Sequence, residues 1–525
     1  MGKIWNNFIE QTKKSFMKFP CSFSGTILYT IFMTIFIDKQ TFSEELLVSI
    51  TIVMGMFVAL SLNIESLKQE KRERIIYEVC AFEVGIILAV LANVFHIFEV
   101  KTLVAAYYLF FLIAVFLALL LTFIYIVFKK QKRSFSEYFK HVFLGIIEVS
   151  FKYSVLAIGF LIISLIFSAL ITDDLEDQLL KIQLLLFGCY YIPHGIYTFV
   201  DHEKKDSEFL KLVFKDILSI LLVVAFAVIY AYMFKILFTL EIPSNQVFPI
   251  LSFLFIVGLP IWTVNTVYED SKIWNKINKY LPYAFIPFII LQMISIIIRI
   301  TSYGLTEARY LGMMLIIFEV IYIGMYITKH KLQDMLLVTI VLIFVTFICP
   351  VINMTNVSLI SQYSRLNHEF RHKNQDNYQF IVGPYEYFYG NAHKMEYLSK
   401  KYTTEELNEL KTIRKEYYNN RYSPYTVNNY SYYGDIKDKE IDITEYTKLT
   451  YFSSYSNYTH VLIGNNKYDF SNLVNEIILE GKDLYQDNTY YADEDVMIKF
   501  TRAYISYEKD KTPTYVELEG YAFIK

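Results

Sequence analysis

Long apolar runs separated by short polar breaks fill the first 350 residues, and this pattern ends at Pro350. Downstream of Pro350, uncharged apolar stretches are only a few residues long. A helix needs about 20 predominantly apolar residues to cross the hydrocarbon core of a bilayer. We therefore predict a polytopic α-helical membrane bundle over residues 1–350, a juxtamembrane exit helix over 351–374, and a soluble α+β domain over 375–525.

Eleven apolar segments are candidate spans, and the fifth is ambiguous because Glu148 and Lys152 in its first half also suit a helix lying on the membrane surface. The segments are 21–37, 46–64, 77–97, 103–128, 142–171, 179–200, 216–240, 247–267, 281–300, 309–328 and 333–350.

Lysine and arginine are distributed unevenly between alternate loops of this arrangement. The set that includes the N-terminus holds 22 of them and the opposite set holds 4, although the formal charge of the whole chain is only -3. Because cytoplasmic loops are enriched in Lys and Arg, we expect the N-terminus in the cytoplasm. An odd number of spans then places the C-terminal domain outside, and we expect a bacterial cytoplasmic membrane as the location.

Residues 363–525, which include the C-terminal domain, hold 26 of the 45 tyrosines and no cysteine. Tyrosine presents an apolar ring and a polar tip, which suits the binding of sugars, peptides or headgroups, but it also fills strands and small cores. Residues 403–415 are predicted to be helical with Thr404 as the cap. Alternating stretches at 459–463, 496–500 and 515–518 predict strands.

Two histidines lie four residues apart in the predicted exit helix, at His368 and His372, with Glu369 between them. This spacing can bind zinc on one helix face, with the glutamate as a base toward metal-bound water. A third ligand could come from His393, Glu396 or Glu406. The alternative is a polar helix end leaving the bilayer, and we expect no cofactor.

Ionisable residues inside predicted spans are functional candidates, because burying a charge in a bilayer is costly. Glu83, His194 and Glu319 lie deepest, and a transporter could use them if they met at one cavity. A structural ion pair is the alternative. The sequence has no phosphate-binding glycine loop, Gly-x-Ser-x-Gly elbow or Cys-x-x-Cys pair, so it offers no positive support for ATP-driven, serine-hydrolase or thiol-redox chemistry.

The segment 299–366 carries two recognisable patterns. The first is Tyr303-Gly-Leu-Thr-Glu307-x-Arg309-Tyr310 and the second is Ser358-x-x-x-Gln362-x-x-Arg365-Leu366. Together they closely resemble the bacterial multi-pass family catalogued as domain of unknown function 4153. The resemblance implies a membrane architecture and no mechanism, and its exit-helix pattern does not include the two histidines.

This segment also has a physical interpretation of its own, as a charge cluster at the outer membrane surface. The cluster either locks two spans and docks the exit helix, or binds an anion or lipid headgroup. Its candidate residues are Arg299, Tyr303, Glu307, Arg309, Gln362 and Arg365.

Our leading hypothesis is a bacterial membrane protein that positions its outer domain for envelope binding, sensing or assembly. The expected partners are the lipid bilayer and an envelope component or membrane protein, with no nucleic acid. A secondary transporter and a zinc metalloenzyme are the alternatives.

Overall fold

The computed structural model describes the residues of most of the chain. They are 2–36, 43–67, 70–170, 176–200, 208–239, 246–267, 273–374, 377–422, 428–433, 446–456, 460–463, 466–480, 482, 484, 489–493, 495–507 and 513–525.

Fifteen helices precede Pro350 in the described part of the chain, and several join end to end through π-helical or bent segments. They are α1 Gly2–Lys18, α2 Pro20–Phe36, α3 Glu44–Ser66, α4 Lys71–Val94, α5 Leu103–Lys129, α6 Phe135–Leu170, α7 Glu176–Leu186, α8 Ile192–Thr198, α9 Glu208–Leu212, α10 Leu218–Thr239, α11 Val247–Asn265, α12 Ile273–Ala284, α13 Ile286–Tyr303, α14 Glu307–Ile327 and α15 Met335–Phe347.

Nine helical segments among the described residues are long and apolar enough to cross a membrane, so the protein is a multi-pass membrane protein. A tenth is possible because the end of α1 and α2 form one pair, bent by 116°. The apolar helix Leu332–Phe347 is shorter than the nine. Each of the eleven predicted segments contains a helix among its described residues, and the count of eleven spans stays a prediction.

The ambiguous fifth segment forms one long helix, α6. Glu148 and Lys152 lie one turn apart on it, and their charged atoms are 2.6 Å apart. Pairing within one helix lowers the free-energy cost of placing both charges in an apolar segment. Helix α6 continues without a break through this pair.

Aromatic and aliphatic side chains of α10 to α15 form the largest core of the bundle. Phe255, Trp262, Phe285 and Phe288 are fully buried there, with their rings packed edge to face or tilted against one another. Such pairs add roughly 0.5–1.5 kcal/mol each beyond the burial of their area. This half of the bundle therefore has a rigid centre.

Four described helices lie between Pro350 and the first strand: α16 Met354–Arg371, α17 Tyr378–Phe388, α18 Ala392–Ser399 and α19 Thr404–Tyr422. The predicted helix at 403–415 is confirmed as α19, but its cap was wrong. Thr403 accepts from the Glu406 N–H over 3.2 Å and the Glu406 carboxylate accepts from the Thr403 N–H over 2.9 Å. This reciprocal capping box needs a residue three positions before a Glu, which Thr403 is and Thr404 is not.

The chain divides into two compact units, residues 1–407 and 408–525. The first unit contains α16, α17 and α18 together with the bundle. The boundary therefore lies later than the predicted domain boundary at residue 375, and inside α19.

The described strands of the second unit are β1 Asn428–Tyr433, β2 Lys448–Ser456, β3 His460–Ile463, β4 Asn466–Asp469, β5 Thr489–Tyr491, β6 Val496–Tyr507 and β7 Pro513–Ile524. They form an antiparallel sheet in the order β1-β6-β7-β2, with β5 also paired to β6, and a separate β3-β4 hairpin. The predicted strands at 459–463, 496–500 and 515–518 correspond to β3, β6 and β7. Phe452, Phe470 and Phe500 pack together in the core of this unit beside the short helix α20 Ser471–Asn475.

The turn between α13 and α14 is tight because of Gly304, whose φ is +72°. A Cβ at this position would lie 2.7 Å from Cδ of Arg365 and 2.8 Å from Nε2 of Gln362. Only glycine enters this left-handed region without strain, and only glycine leaves room for the two side chains.

We predict that Gly304→Ala destabilises the protein by about 2 kcal/mol or more, from backbone strain and from displacement of Arg365 and Gln362. Thermal unfolding of the purified protein in detergent measures the loss. Gly324→Ala is the matched control, because nothing lies within 4 Å of its added Cβ and it lies inside α14. Equal melting temperatures for the two variants would contradict the prediction.

Candidate functional site

The centre of the site is the run of backbone carbonyls at residues 301–305, where α13 ends. The last carbonyls of a helix have no partner in their own helix and need donors from elsewhere. Each of these five carbonyls accepts a hydrogen bond from a side chain of α14 or α16. We call the turn at residues 301–310 and the N-terminal half of α16 the α13–α16 joint.

Arg365 of α16 supplies two of these bonds. Its guanidinium donates to the Thr301 carbonyl over 3.1 Å and to the Ser302 carbonyl over 2.8 Å. A cation at the C-terminal end of a helix also interacts favourably with the helix dipole. Arg365 therefore stabilises the end of α13 through geometry and through charge.

Arg309 of α14 approaches the same helix end from the other side. It donates to the Tyr303 carbonyl over 3.1 Å and also to the Gly304 carbonyl. Its guanidinium lies 5.6 Å from the centre of the Tyr303 ring, in cation–π geometry. The first turn of α14 is thus tied to the end of α13.

Gln362 is the buried member of the joint, with only 2% of its surface exposed. Its amide nitrogen donates to the Tyr303 carbonyl over 3.0 Å and to the Leu305 carbonyl over 2.9 Å. Ser361 accepts from the Leu305 N–H over 2.9 Å. A buried polar group left without a partner costs about 1–3 kcal/mol, so these bonds hold α16 in register with the turn.

Glu307 contacts residues of α17 and α18, which lie far from it along the chain. Lys394 lies 2.9 Å from its carboxylate, and the Tyr387 hydroxyl donates to it over 2.6 Å. The Lys394 ammonium also lies 3.8 Å from the centre of the Tyr387 ring. Burial, and then the negative charge of Glu307, raise the pKa of Tyr387, so its phenol stays protonated and donates.

Helix α18 also contacts the N-terminus of α5. The Glu396 carboxylate accepts from the Leu103 N–H over 2.7 Å, and His393 Nδ1 lies 3.2 Å from the Val100 carbonyl. The Lys400 side chain, followed by the Leu103 N–H, holds the pKa of Glu396 below its usual value. An anion at a helix N-terminus is favourable, so α18 is fastened to the bundle at a second place.

Five of the six predicted members of the charge cluster lie together at the turn between α13 and α14. They are Tyr303, Glu307, Arg309, Gln362 and Arg365. The sixth, Arg299, is half-buried on α13, and its charge and that of Arg365 both act on Arg309. Because the N–H groups of Arg309 and Arg365 are used on backbone carbonyls, the geometry favours the docking interpretation over an anion site. Thr306 begins α14, but its side chain makes no capping bond.

His368 and His372 lie on one face at the end of α16, with ring centres 5.0 Å apart. Nδ1 of His372 lies 2.9 Å from the His368 carbonyl. The three candidate third ligands are engaged elsewhere: Glu406 pairs with Arg371 over 2.9 Å, and Glu396 and His393 face α5. No third ligand side chain is brought to the pair within the described residues.

Another group of possible metal ligands, Cys21, Glu65 and Glu78, lies in the N-terminal part of the bundle, with ligand atoms within 4.8 Å of one another. The Glu65 carboxylate already accepts four hydrogen bonds, from the N–H groups of Cys21 and Ser22, the Ser22 hydroxyl and Arg74. A carboxylate has about four lone-pair sites, and a guanidinium opposes a cation beside it. The group therefore fits a helix cap better than a metal site.

The intramembrane candidates lie in different places. Glu83 is exposed on α4, where an apolar span faces lipid, and His194 is buried on α8 with Nδ1 at 2.8 Å from the Tyr190 carbonyl. Glu319 is fully buried on α14. They lie on three helices, and α14 packs against α12, α13, α15 and α16.

Glu319 instead contacts the uncharged side chain of Gln292 of α13, which also contacts Ser252 of α11. The group is satisfied when the Gln292 amide donates to Glu319 over 2.7 Å and accepts from the Ser252 hydroxyl over 3.3 Å. In the described part of the chain no cation pairs with Glu319. A carboxyl group in this setting can gain or lose a proton where water reaches it.

Sequence reasoning missed Ser361, Tyr387 and Lys394. Ser361 could have been found, because positions 358, 361, 362 and 365 form a polar stripe along one face of a helix. Lys394 is far along the chain from Glu307, and Tyr387 belongs to a Tyr-rich segment without a distinguishing pattern. No local signal marks either as a partner of Glu307.

Residues 74–383 match the family model described as a domain of unknown function (DUF4153). An uncharacterized protein of Pasteurella multocida (strain Pm70) is 25% identical over 158 residues, which is 29% of this chain and 27% of that protein. This chain thus matches little more than a quarter of the relative's length. No solved structure matches it.

We predict that Glu319→Leu destabilises the bundle by about 1–3 kcal/mol, because it leaves the buried amide of Gln292 without its partner. Glu319→Gln keeps the shape and a hydrogen bond, and should stay close to wild type. The double variant Glu319→Leu/Gln292→Leu should recover part of the loss, since both polar groups are then removed. Thermal unfolding in detergent measures all three variants.

A Glu319→Gln variant as unstable as Glu319→Leu would show that the stability of the bundle depends on the carboxyl group itself. That result would contradict the hydrogen-bonding account.

Proposed function

The chain belongs to the family described as domain of unknown function DUF4153, and we propose that it anchors its C-terminal sheet unit at the outer face of a bacterial cytoplasmic membrane. There the unit binds, senses or helps to assemble an envelope component. The observation that carries this proposal is the α13–α16 joint, where four carbonyls and one N–H fasten the exit helix to the bundle. A chain that only tethered a domain would need no such fastening.

The fastening continues beyond α16. Glu307 with Lys394, and Glu396 with the N-terminus of α5, hold α17 and α18 against the bundle. The chain is therefore fixed at three places before the second unit begins.

The orientation rests on the distribution of basic residues in the loops. It also requires that α2 and the helix Leu332–Phe347 both cross the membrane in addition to the nine longer segments. Eleven crossings put the two ends of the chain on opposite sides, with the C-terminal unit in the oxidising, envelope-facing compartment.

A binding role for the second unit is supported by the outer face of strand β2. Leu449 and Tyr451 on this edge strand are 59% and 54% exposed, whereas Phe452, on the opposite face of the strand, is buried. The Tyr451 ring packs edge to face against Tyr521 of β7, with centres 5.4 Å apart. Exposed aromatic faces of this kind suit sugars and peptides of the envelope.

Glu319 supports a second candidate function, a secondary transporter that uses this residue for proton or ion coupling. Its complete burial without a cation is unusual for a purely structural carboxyl group in a membrane. The anchoring function requires the second unit but not the carboxyl group of Glu319. The transporter function requires this carboxyl group but not the second unit.

The orientation can be measured with single cysteines in a variant in which all four native cysteines are replaced by serine. We expect a cysteine at Ser399, on α18, to react with a membrane-impermeant maleimide on intact spheroplasts. A cysteine at Lys331, in the loop before α15, should react only after the membrane is opened. The reverse pattern would overturn the proposed outer location.

The function can be tested by complementation of a deletion strain under envelope stress. We expect the chain truncated after Tyr422, which keeps α16 to α19, to fail, and full-length Glu319→Gln to complement. Full-length Leu449→Ser/Tyr451→Ser should also fail if the β2 face is the binding face. Complementation by the truncated chain together with failure of Glu319→Gln would favour the transporter and contradict the anchoring function.

A further inference from the structure

A groove lies between α2, α3 and α4, close to the ends of α2 and α4 at residues 20 and 71. Its volume is about 530 Å³, and it is open to the outside of the bundle. The groove is distant in sequence from the α13–α16 joint and has no part in the proposed anchoring. It combines a cationic end with an apolar wall.

The apolar wall consists mainly of one face of α4. Ile75, Val79 and Phe82 line the groove, and 58%, 53% and 42% of their surfaces are exposed. Phe57 of α3 forms the opposite side, and its ring packs edge to face against Phe82 with centres 5.7 Å apart. From Ile75 to Phe82 the wall extends about 10 Å along the helix, which accommodates part of an acyl chain.

The cationic end is formed by Lys71 and Arg74, which lie three residues apart and face the groove from the first turn of α4. Lys71 has no ion-pair partner within the described ranges. Arg74 donates through Nη2 to Glu65, which also caps the N-terminus of α2. That contact fixes the position of the Arg74 guanidinium at the edge of the groove.

Two acidic residues, Glu65 and Glu78, lie close to this end, and neither pairs with Lys71 within the described residues. Glu65 is buried and is fully occupied by its hydrogen bonds to α2 and Arg74. Glu78 is 7% exposed, and its carboxyl group accepts from the Ser61 hydroxyl beneath the groove. Lys71 is therefore left to attract an anion from outside the protein.

We propose that this groove binds an anionic phospholipid of the surrounding bilayer, with the phosphate at Lys71 and Arg74 and an acyl chain along Ile75, Val79 and Phe82. Charge complementarity selects the anionic class, because a phosphate oxygen can accept from both cations at once. The apolar wall selects a lipid over a free phosphate, because most of the lining is hydrocarbon.

Native mass spectrometry of the full chain tests this proposal, after release from vesicles of equal phosphatidylglycerol and phosphatidylethanolamine. We expect wild type to retain phosphatidylglycerol preferentially. Lys71→Gln should reduce that preference about fivefold, the value of one basic residue near a membrane surface. Lys331→Gln removes the same charge from another loop and should leave the preference unchanged.

A second pair of variants tests the apolar wall. Val79→Trp should fill the groove and abolish retention of both lipids, whereas Ile87→Trp on the same helix, 57% exposed and outside the groove, should not. Thermal unfolding shows whether Val79→Trp remains folded. If this variant does not fold, the lipid preference of Lys71→Gln tests the proposal by itself.

Equal retention of the two lipids by wild type, or an unchanged preference in Lys71→Gln, would overturn the proposal. Displacement of the bound lipid by inorganic phosphate alone would also overturn it, because the acyl chain would then contribute nothing.

Discussion

The carbonyls at residues 301–305 impose the constraint on which this structure depends. A helix that ends in water can leave its last carbonyls to the solvent, but α13 ends against α14 and α16. Its donors must therefore be protein side chains, and they come from both of those helices. Satisfying the end of α13 thus positions two other helices, one of which leads toward the C-terminal unit.

The sequence was sufficient to identify the residues of this joint but not all of their roles. Tyr303 to Tyr310 and Ser358 to Leu366 are short patterns, so a helix end, a glycine turn and a polar helix face could be predicted locally. The pairing of Glu307 could not be predicted locally, because its partner, Lys394, belongs to a helix whose position only the fold determines. Local patterns predict helix ends, and long-range pairs require the packing.

Hydropathy predicted the membrane helices well for a similar reason. Apolar length is a local property, so each predicted segment contains a helix among its described residues. Crossing depends on a length that α15 alone does not reach and that α2 reaches only together with the end of α1. Hydropathy does not specify which face of a helix turns inward. Glu83 and Glu319 therefore looked equivalent in sequence, although one is exposed and the other is buried.

The charges of the membrane part follow a simple electrostatic rule. Glu65 and Glu396 accept from the N-terminal N–H groups of α2 and α5, and Arg309 and Arg365 donate to the C-terminal carbonyls of α13. Anions lie at helix N-termini and cations at a C-terminus, as the helix dipole favours, so helix capping accounts for these four charges. Glu319 does not fit this rule, because it lies in the middle of α14 and contacts only uncharged side chains. Capping therefore gives no explanation for this buried carboxyl group, and its burial is the basis of the second candidate function.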